Sequence, residues 1–293
     1  MILIGENLNI MSQTLGPALR ERNAGPVQEM AKSETAVDYI DLNIGPARKA
    51  GDELMSWVVK TVKTATNKPL SLDTTNLVAM EAGLKECKAC NRSVLMNSVS
   101  LQPERLEKGL ALARDYNADM IGLLWGVEGM PRDANERAVL AVDIVYKANQ
   151  LGIPNERIWI DPIASPISVE INQVKACVEF MGMLKDIAPG CKSTVGLSNI
   201  SNGAPTNLRP HLNRVYFIML MRNGLYSAIV DAFDTELVKI ARGQMPEFVN
   251  LVHRVMDGET PDLSRLSKKE VEYVKTTRVL LGQSLYSHSW LEV

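Results

Sequence analysis

Short apolar runs recur along the chain, and six of them stop on a carboxylate or a carboxamide. MILIGE ends on Glu6, YIDLN on Asn43, PLSLD on Asp73, SVLMN on Asn97, RIWID on Asp161 and TVGLSN on Asn199. Runs rich in Ile, Val and Leu predict strands buried on both faces, and the polar residue at the end marks where each strand leaves the core. ADMIGLLW and YSAIVDAF add two more runs, which makes eight predicted strands.

Between the strands the apolar period changes to that of a helix. Leu54, Trp57, Val58 and Val62 recur at spacings of three and four, which aligns them on one helix face. Comparable stretches predict helices over roughly Pro26 to Val37, Val78 to Cys87, Pro103 to Tyr116, Val174 to Ile187 and Leu212 to Arg222. Asp133 with Glu136 predicts a capping box at the head of a long helix ending near Gly152. Because strand and helix alternate without a mid-chain break, the predicted fold is an α/β protein, a (β/α)8 TIM barrel. A doubly wound sheet is the competing architecture, but no strand is followed by its G-x-G-x-x-G turn.

The simple repeat ends after the eighth strand. TELVKIARG predicts a helix reaching Gly243, and residues 243–267 then insert a further helix with Phe248, Leu251, Val252 and Val255 on one side. Ser267 and Glu270 form a second capping box, which opens a terminal helix through Val271, Val274 and Leu281. An apolar stripe reports burial and not its purpose. The excursion is either a brace or dimer contact, or a docking surface for a partner protein.

Composition removes several classes of function. With 293 residues, 46% of them hydrophobic, the chain can bury one large core or two modest ones, and the repeat pattern rather than length decides between them. A formal net charge of -2 and the lack of a Lys/Arg run argue against a nucleic-acid partner. The opening MILIGENLNI has no basic n-region and no later apolar run approaches membrane-spanning length, so a soluble cytoplasmic protein is expected. Cys87 and Cys90 form a C-x-x-C without a second pair, and with Cys177 and Cys191 they are expected to be reduced thiols. His211, His253 and His288 fall in no ligand spacing, and no metal site is predicted.

In a parallel barrel the C-terminal strand ends share the face on which catalysis occurs. That geometry gathers Glu6, Asn9, Asn43, Asp73, Asn97, Asp161, Ser198 and Asn199 on one rim. Several carboxylates brought together away from water need donors, a cation or each other. Two ligands suit the set: Mg²⁺ held by oxygen ligands, as in a lyase or aldolase, or a heterocycle with adjacent N–H donors, such as a pterin or purine edge. No strand end supplies the lysine of a Schiff-base aldolase.

IGENLN, DLNIGPA, SLDTTN, LMNS, IDP and GLSNIS resemble, in order and spacing, the pteridine-binding barrel methyltransferases. That family moves a methyl group from methyltetrahydrofolate to the cobalt of a corrinoid protein. The resemblance covers nearly the whole chain and is similar in pattern to the corrinoid iron-sulfur protein methyltransferase and to O-demethylase, methylamine and betaine relatives. It implies one pterin-binding barrel over 1–293, methyltetrahydrofolate as substrate, a corrinoid (cobalamin) carried by a partner protein, and a homodimer. Carried over through these motifs, Asp73, Asn97, Asp161, Ser198 and Asn199 bind the pterin. Asn199 and Asp161 act in catalysis: Asn199 stands beside N5, where negative charge develops, and Asp161 faces the 2-amino edge. Glu6, Asn9, Asn43 and Arg209 are supporting residues, and the loops over 126–132 and 201–209, rich in Gly, Pro and Asn, are expected to meet the partner.

Two rivals share part of this pattern. Dihydropteroate synthase has the same barrel and pterin pocket, but its strand-seven signature resembles Ser-Arg-Lys, where this chain has Ser198, Asn199 and Ile200. The missing cations remove contacts to a pyrophosphate leaving group. A non-catalytic pterin-binding subunit of a methyltransferase complex would keep Asp73, Asn97 and Asp161 and could dispense with Asn199.

Overall fold

Alternation along each strand sends every second side chain into the barrel and the others toward the helices, and this sorting gives the chain its two apolar layers. The computed structural model describes residues 1–89 and 93–292. Its strands are β1 (Ile2–Gly5), β2 (Tyr39–Asn43), β3 (Leu70–Asp73), β4 (Val94–Ser100), β5 (Asp119–Leu123), β6 (Ile158–Asp161), β7 (Lys192–Ser193) and β8 (Ser227–Val230). All neighbours are parallel, in the order β7-β6-β5-β4-β3-β2-β1-β8. The (β/α)8 barrel expected from the alternation is the fold observed.

Around the strands lie α1 (Gly16–Arg20), α2 (Ala24–Ser33), α3 (Gly51–Lys63), α4 (Leu77–Ala89), α5 (Pro103–Asp115) and α6 (Ala134–Gln150). They are followed by α7 (Ile171–Ile187), α8 (Arg209–Arg222), α9 (Thr235–Ala241), α10 (Pro246–Met256) and α11 (Lys268–Leu280). Only the short α1 has no counterpart in the apolar period. Asp133 caps α6 through a bond from Glu136 N at 2.8 Å, but Glu136 returns its carboxylate to Arg132 N at 2.8 Å, so the box is half formed. The box at α11 is complete, with Ser267 N donating to Glu270 Oε2 at 2.8 Å and Glu270 N to Ser267 Oγ at 3.3 Å.

Two strands depart from expectation. TVGLSN leaves the sheet after Ser193 and ends in a 3₁₀ turn, Leu197–Ser201, because Ser and Asn side chains offer the backbone local bonds in place of a ladder. Ser201 Oγ donates to Ser198 O at 3.0 Å within that turn. Conversely β4 does not stop at Asn97. It resumes pairing with β5 at Val99 and Ser100 after a register shift, so Asn97 lies inside a strand.

The ring closes between β7 and β8 through a few contacts instead of a ladder. Ile229 N donates to Val195 O at 2.8 Å, and Ser227 Oγ donates to Ser193 O at 3.0 Å. Inside the barrel, Ile4, Leu95, Ile121, Trp159 and Ile229 form one apolar cluster. At the N-terminal end Trp159 meets Tyr39 and Tyr226 edge-on, at centroid distances of 5.8 and 5.3 Å, and donates from Nε1 to Asp119 Oδ2 at 3.0 Å. This aromatic plug fills the base and leaves the opposite end as the polar one.

The helical excursion packs back onto its own chain. Leu251 and Val255 of α10 cluster with Val274 of α11, Val252 joins the core that includes α8, and Phe248 stacks against Tyr273 at 4.7 Å. Of the cysteines, Cys87, Cys177 and Cys191 form no disulfide among the described residues, and Cys90 of the C-x-x-C lies outside them. No helix among the described residues is long and apolar enough to cross a membrane.

Candidate active site

Parallel pairing sets the site because it brings residues at equal heights side by side. Asn43 of β2, Asp73 of β3 and Asn97 of β4 are direct register partners, and Asn9 bridges to Asn43 from the loop after β1. Asn43 Nδ2 donates to Asp73 Oδ2 in a short bond. Asn97 instead reaches one pleat down, donating from Nδ2 to Asp41 Oδ1 at 3.2 Å.

Asp41 is the residue that reading the strand ends overlooked. It sits two positions before Asn43, hence on the same face, and it is buried. The period-two alternation of YIDLN carried that signal. Burial raises the pKa of Asp41, against hydrogen bonds that lower it. Burial together with the charge of Asp41 pushes Asp73 well above the usual carboxylate range. Two carboxyls so close do not both ionise in a buried place, so the pair holds a proton at neutral pH.

Asp161 stands apart from that row, at the end of β6. Burial pushes its carboxyl up to about 6, while backbone N–H groups of Ile163 and Gly196 and the charge of Arg137 oppose the rise. The bond from Ile163 N is 2.8 Å long and fixes the carboxylate at the head of the loop. Arg137, fully buried on α6, donates to Pro162 O at 2.9 Å, to Asp133 O at 3.1 Å and to Gln173 Oε1 at 2.7 Å. It ties the loops after β5 and β6 together beside Asp161. Nothing in a lone arginine on an amphipathic helix marks that role in the sequence.

A second group lies across β1, β7 and β8. Ser198 Oγ donates to Glu6 Oε2 at 2.9 Å. Burial raises Glu6 to about 7, against that bond, with Asp231 and Asp41 adding to the rise and Arg209 opposing it. Arg209 opens α8 and donates from Nε to Ser201 Oγ at 3.1 Å and from Nη2 to Ser198 O at 3.5 Å, so it holds the 3₁₀ turn. Asn199 occupies that turn, where its Oδ1 accepts from Asn202 Nδ2 at 3.3 Å. Gly196 leaves room for it, since a Cβ there would lie 3.1 Å from Asn199 Nδ2. Asn7 joins the loops after β1 and β8 by donating to Asp231 Oδ1 at 2.8 Å.

The predicted residues therefore form three groups: Asn9, Asn43, Asp73 and Asn97 in one row, Asp161 on its own backbone anchor, and Glu6, Ser198, Asn199 and Arg209 around the turn. A cavity of about 620 Å³ opens beside the third group, lined by Glu6, Asn9, Ser198, Arg209 and Asp231 among others, and its lining does not include Asp73, Asn97 or Asp161. Among the described residues no three His, Cys, Asp or Glu side chains gather as a metal site. Chemically, the rim presents anionic acceptors, neutral carboxamides and two carboxyls that change protonation near neutrality, a donor set suited to a planar ring with N–H edges.

Comparison with known proteins agrees with this chemistry. A family model described as pterin binding enzyme matches residues 35–231. The chain is 26% identical over 242 residues to the methylcorrinoid:tetrahydrofolate methyltransferase of Eubacterium limosum, covering 81% of this chain and 88% of that protein. It is also 26% identical over 245 residues to methionine synthase of Mycobacterium tuberculosis, covering 79% of this chain but 20% of that longer protein. Among solved structures, dihydropteroate synthase of Xanthomonas albilineans with 4-aminobenzoic acid superposes with a TM-score of 0.60 at 17% identity, covering 83% of this chain and 92% of the other. That likeness concerns the barrel alone.

Proposed function

The chain belongs to the pterin-binding enzyme family, and from that membership we propose that it transfers the N5-methyl group between methyltetrahydrofolate and the cobalt(I) corrinoid of a partner protein. The observation that carries the reading is the in-register row Asn43, Asp73 and Asn97 facing a separately anchored Asp161. Similarity to the Eubacterium limosum methyltransferase over most of both chains supports the same reaction. Asp161 accepts from the 2-amino and ring N–H edge of the pterin, and Asp73 and Asn97 hold the remaining edge.

In the transfer, the cobalt electron pair forms the new bond to the methyl carbon as the carbon–N5 bond breaks. N5 keeps the pair from the broken bond and takes up a proton. A carboxamide donor that strengthens its bond as charge builds on N5 lowers the barrier, and Asn199 is given that role. Glu6, raised to about 7 and accepting from Ser198, exchanges a proton near neutrality beside the same turn. The protein needs no nucleophile of its own, but it must admit a macromolecule. Met11, Val78, Trp125, Val127, Val169 and Phe233 are exposed apolar residues in the loops and first helical turns after β1, β3, β5, β6 and β8, all on the rim side, which supports a docking face around the mouth.

A homodimer in a reducing cytoplasm belongs to the same reading. Exposed Val139, Val142 and Tyr146 along α6 support the dimer.

The test mixes the protein with methyltetrahydrofolate and free cobalt(I) cobalamin and follows the cobalt spectrum. Methyl-cobalt formation is expected; pterin binding without transfer would leave a binding subunit instead. Asn199→Ala should slow single-turnover transfer by about two to three powers of ten, as loss of an oxyanion donor does. A rate within a few-fold of the parent would remove Asn199 from its role.

A further inference from the structure

Glu34 follows the last turn of α2, and its side chain is fully buried. Among the described residues neither of its carboxyl oxygens has a hydrogen-bond partner. It fits because position 5 is glycine: a Cβ there would lie 1.9 Å from Glu34 Oε2. Gly5 is the last residue of β1 and precedes Glu6, so the carboxyl presses on the barrel wall directly behind the rim.

The charged groups facing Glu34 are Asp41 from β2, Lys68 from the turn before β3, Asp231 from the loop after β8 and Glu6 after β1. Three of the four are acids. The Lys68 ammonium is turned to main-chain oxygens, donating to those of Glu34, Thr35 and Val37 at 2.6, 2.8 and 2.5 Å. An ionised carboxylate with no donor, set among acids, is strongly disfavoured.

We propose that Glu34 is a positioning residue for the methyl-transfer site: a buried neutral acid behind Gly5 that keeps a further negative charge from Asp41, so that the Asp41–Asp73 pair retains one proton and one charge. The second part of this inference rests on the methyl-transfer reading. An added charge at Glu34 would drive the pair toward full protonation, removing an acceptor for the pterin, and would oppose the negative charge developing on N5. Burial, then the charge of Asp41, raises Glu34 to about 8, which places the loss of this arrangement on the alkaline side.

Two measurements on the full chain separate the parts. Glu34 has a raised pKa in the folded state, so the stability it contributes is full below the ordinary range near 4.5 and is lost as pH rises toward about 8. Thermal melts of the folate-free protein should therefore show Glu34→Gln gaining on the parent by several degrees between about pH 5 and about pH 9. Parallel melting curves would overturn the neutral acid. In the second measurement, single-turnover transfer and methyltetrahydrofolate affinity are followed over the same range. Glu34→Gln should stay within about two-fold of the parent at neutral pH and lose the parent's alkaline decline. An unchanged alkaline decline, with the melts altered, would overturn the positioning role and leave a structural acid. Parent protein that binds no folate would instead defeat the methyl-transfer reading, while the melts still decide the protonation of Glu34. Glu34→Met supplies a second neutral side chain of similar length should the glutamine variant fold poorly.

Discussion

Asp161 and Asp73 carry the same functional group but sit in different electrostatic settings because their neighbours differ. Asp161 is braced by backbone N–H groups and keeps both its shape and its acceptor capacity, whereas Asp73 shares a proton with Asp41. Substituting Asp161→Asn would place an amide N–H₂ against the N–H edge of the ring. The expected loss is about 1.5–3 kcal/mol in folate affinity, measured by titration calorimetry. Unchanged affinity would take Asp161 out of ring recognition. Because the carboxyl ionises at about 6, affinity should also fall as pH drops through that value. Strand-end residues such as Asp73 and Asp161 were legible in sequence since an apolar run stopping on a carboxylate is itself the signal. Asp41 was legible only through the alternation of YIDLN, while Glu34 and Arg137 were not legible, because the importance of each comes from what is folded against it.

At the scale of elements, the extra helices after β8 illustrate how an apolar stripe predicts burial without naming its partner. The residues Leu251, Val252 and Val255 are buried against α8 and α11, which makes α10 a brace on the barrel wall. Leu251→Ala should cost about 2–5 kcal/mol in denaturant unfolding. Pterin affinity below the melting range should be unaltered. A variant as stable as the parent, but deficient with a partner-borne corrinoid, would give this segment the docking role instead. Strand boundaries were the less legible part. β7 shortens and β4 lengthens because local side-chain bonds at Ser198 to Ser201 and a register shift near Asn97 override the apolar run.

For the molecule as a whole, plugging one barrel end with Trp159, Tyr39 and Tyr226 leaves the opposite rim as the polar end, where the proposed function places ligand and partner. The alternation of elements made the barrel legible from sequence, but the ring of exposed apolar residues around its mouth was not, since those residues are scattered through the segments that follow five different strands. Val127 is 70% exposed and Phe233 48% exposed. Val127→Asp with Phe233→Asp should slow transfer to a protein-borne corrinoid about ten-fold or more while leaving transfer to free cobalamin near the parental rate. Equal losses with both acceptors would show that these side chains serve the pterin pocket and not the encounter.

The sparse junction between β7 and β8 has a bearing on how this protein comes to be active. Gly196 bridges to Ile229 across that junction, and Asn199 follows three residues later on the same short segment. The contacts that complete the circle of strands are thus the contacts that seat Asn199. Chains that have collapsed but not joined their two ends will hold Asp73 and Asn97 in register and still lack a placed Asn199. Under the proposed roles, pterin binding should return before turnover on refolding, and following folate titration and the cobalt spectrum along a refolding time course checks this order.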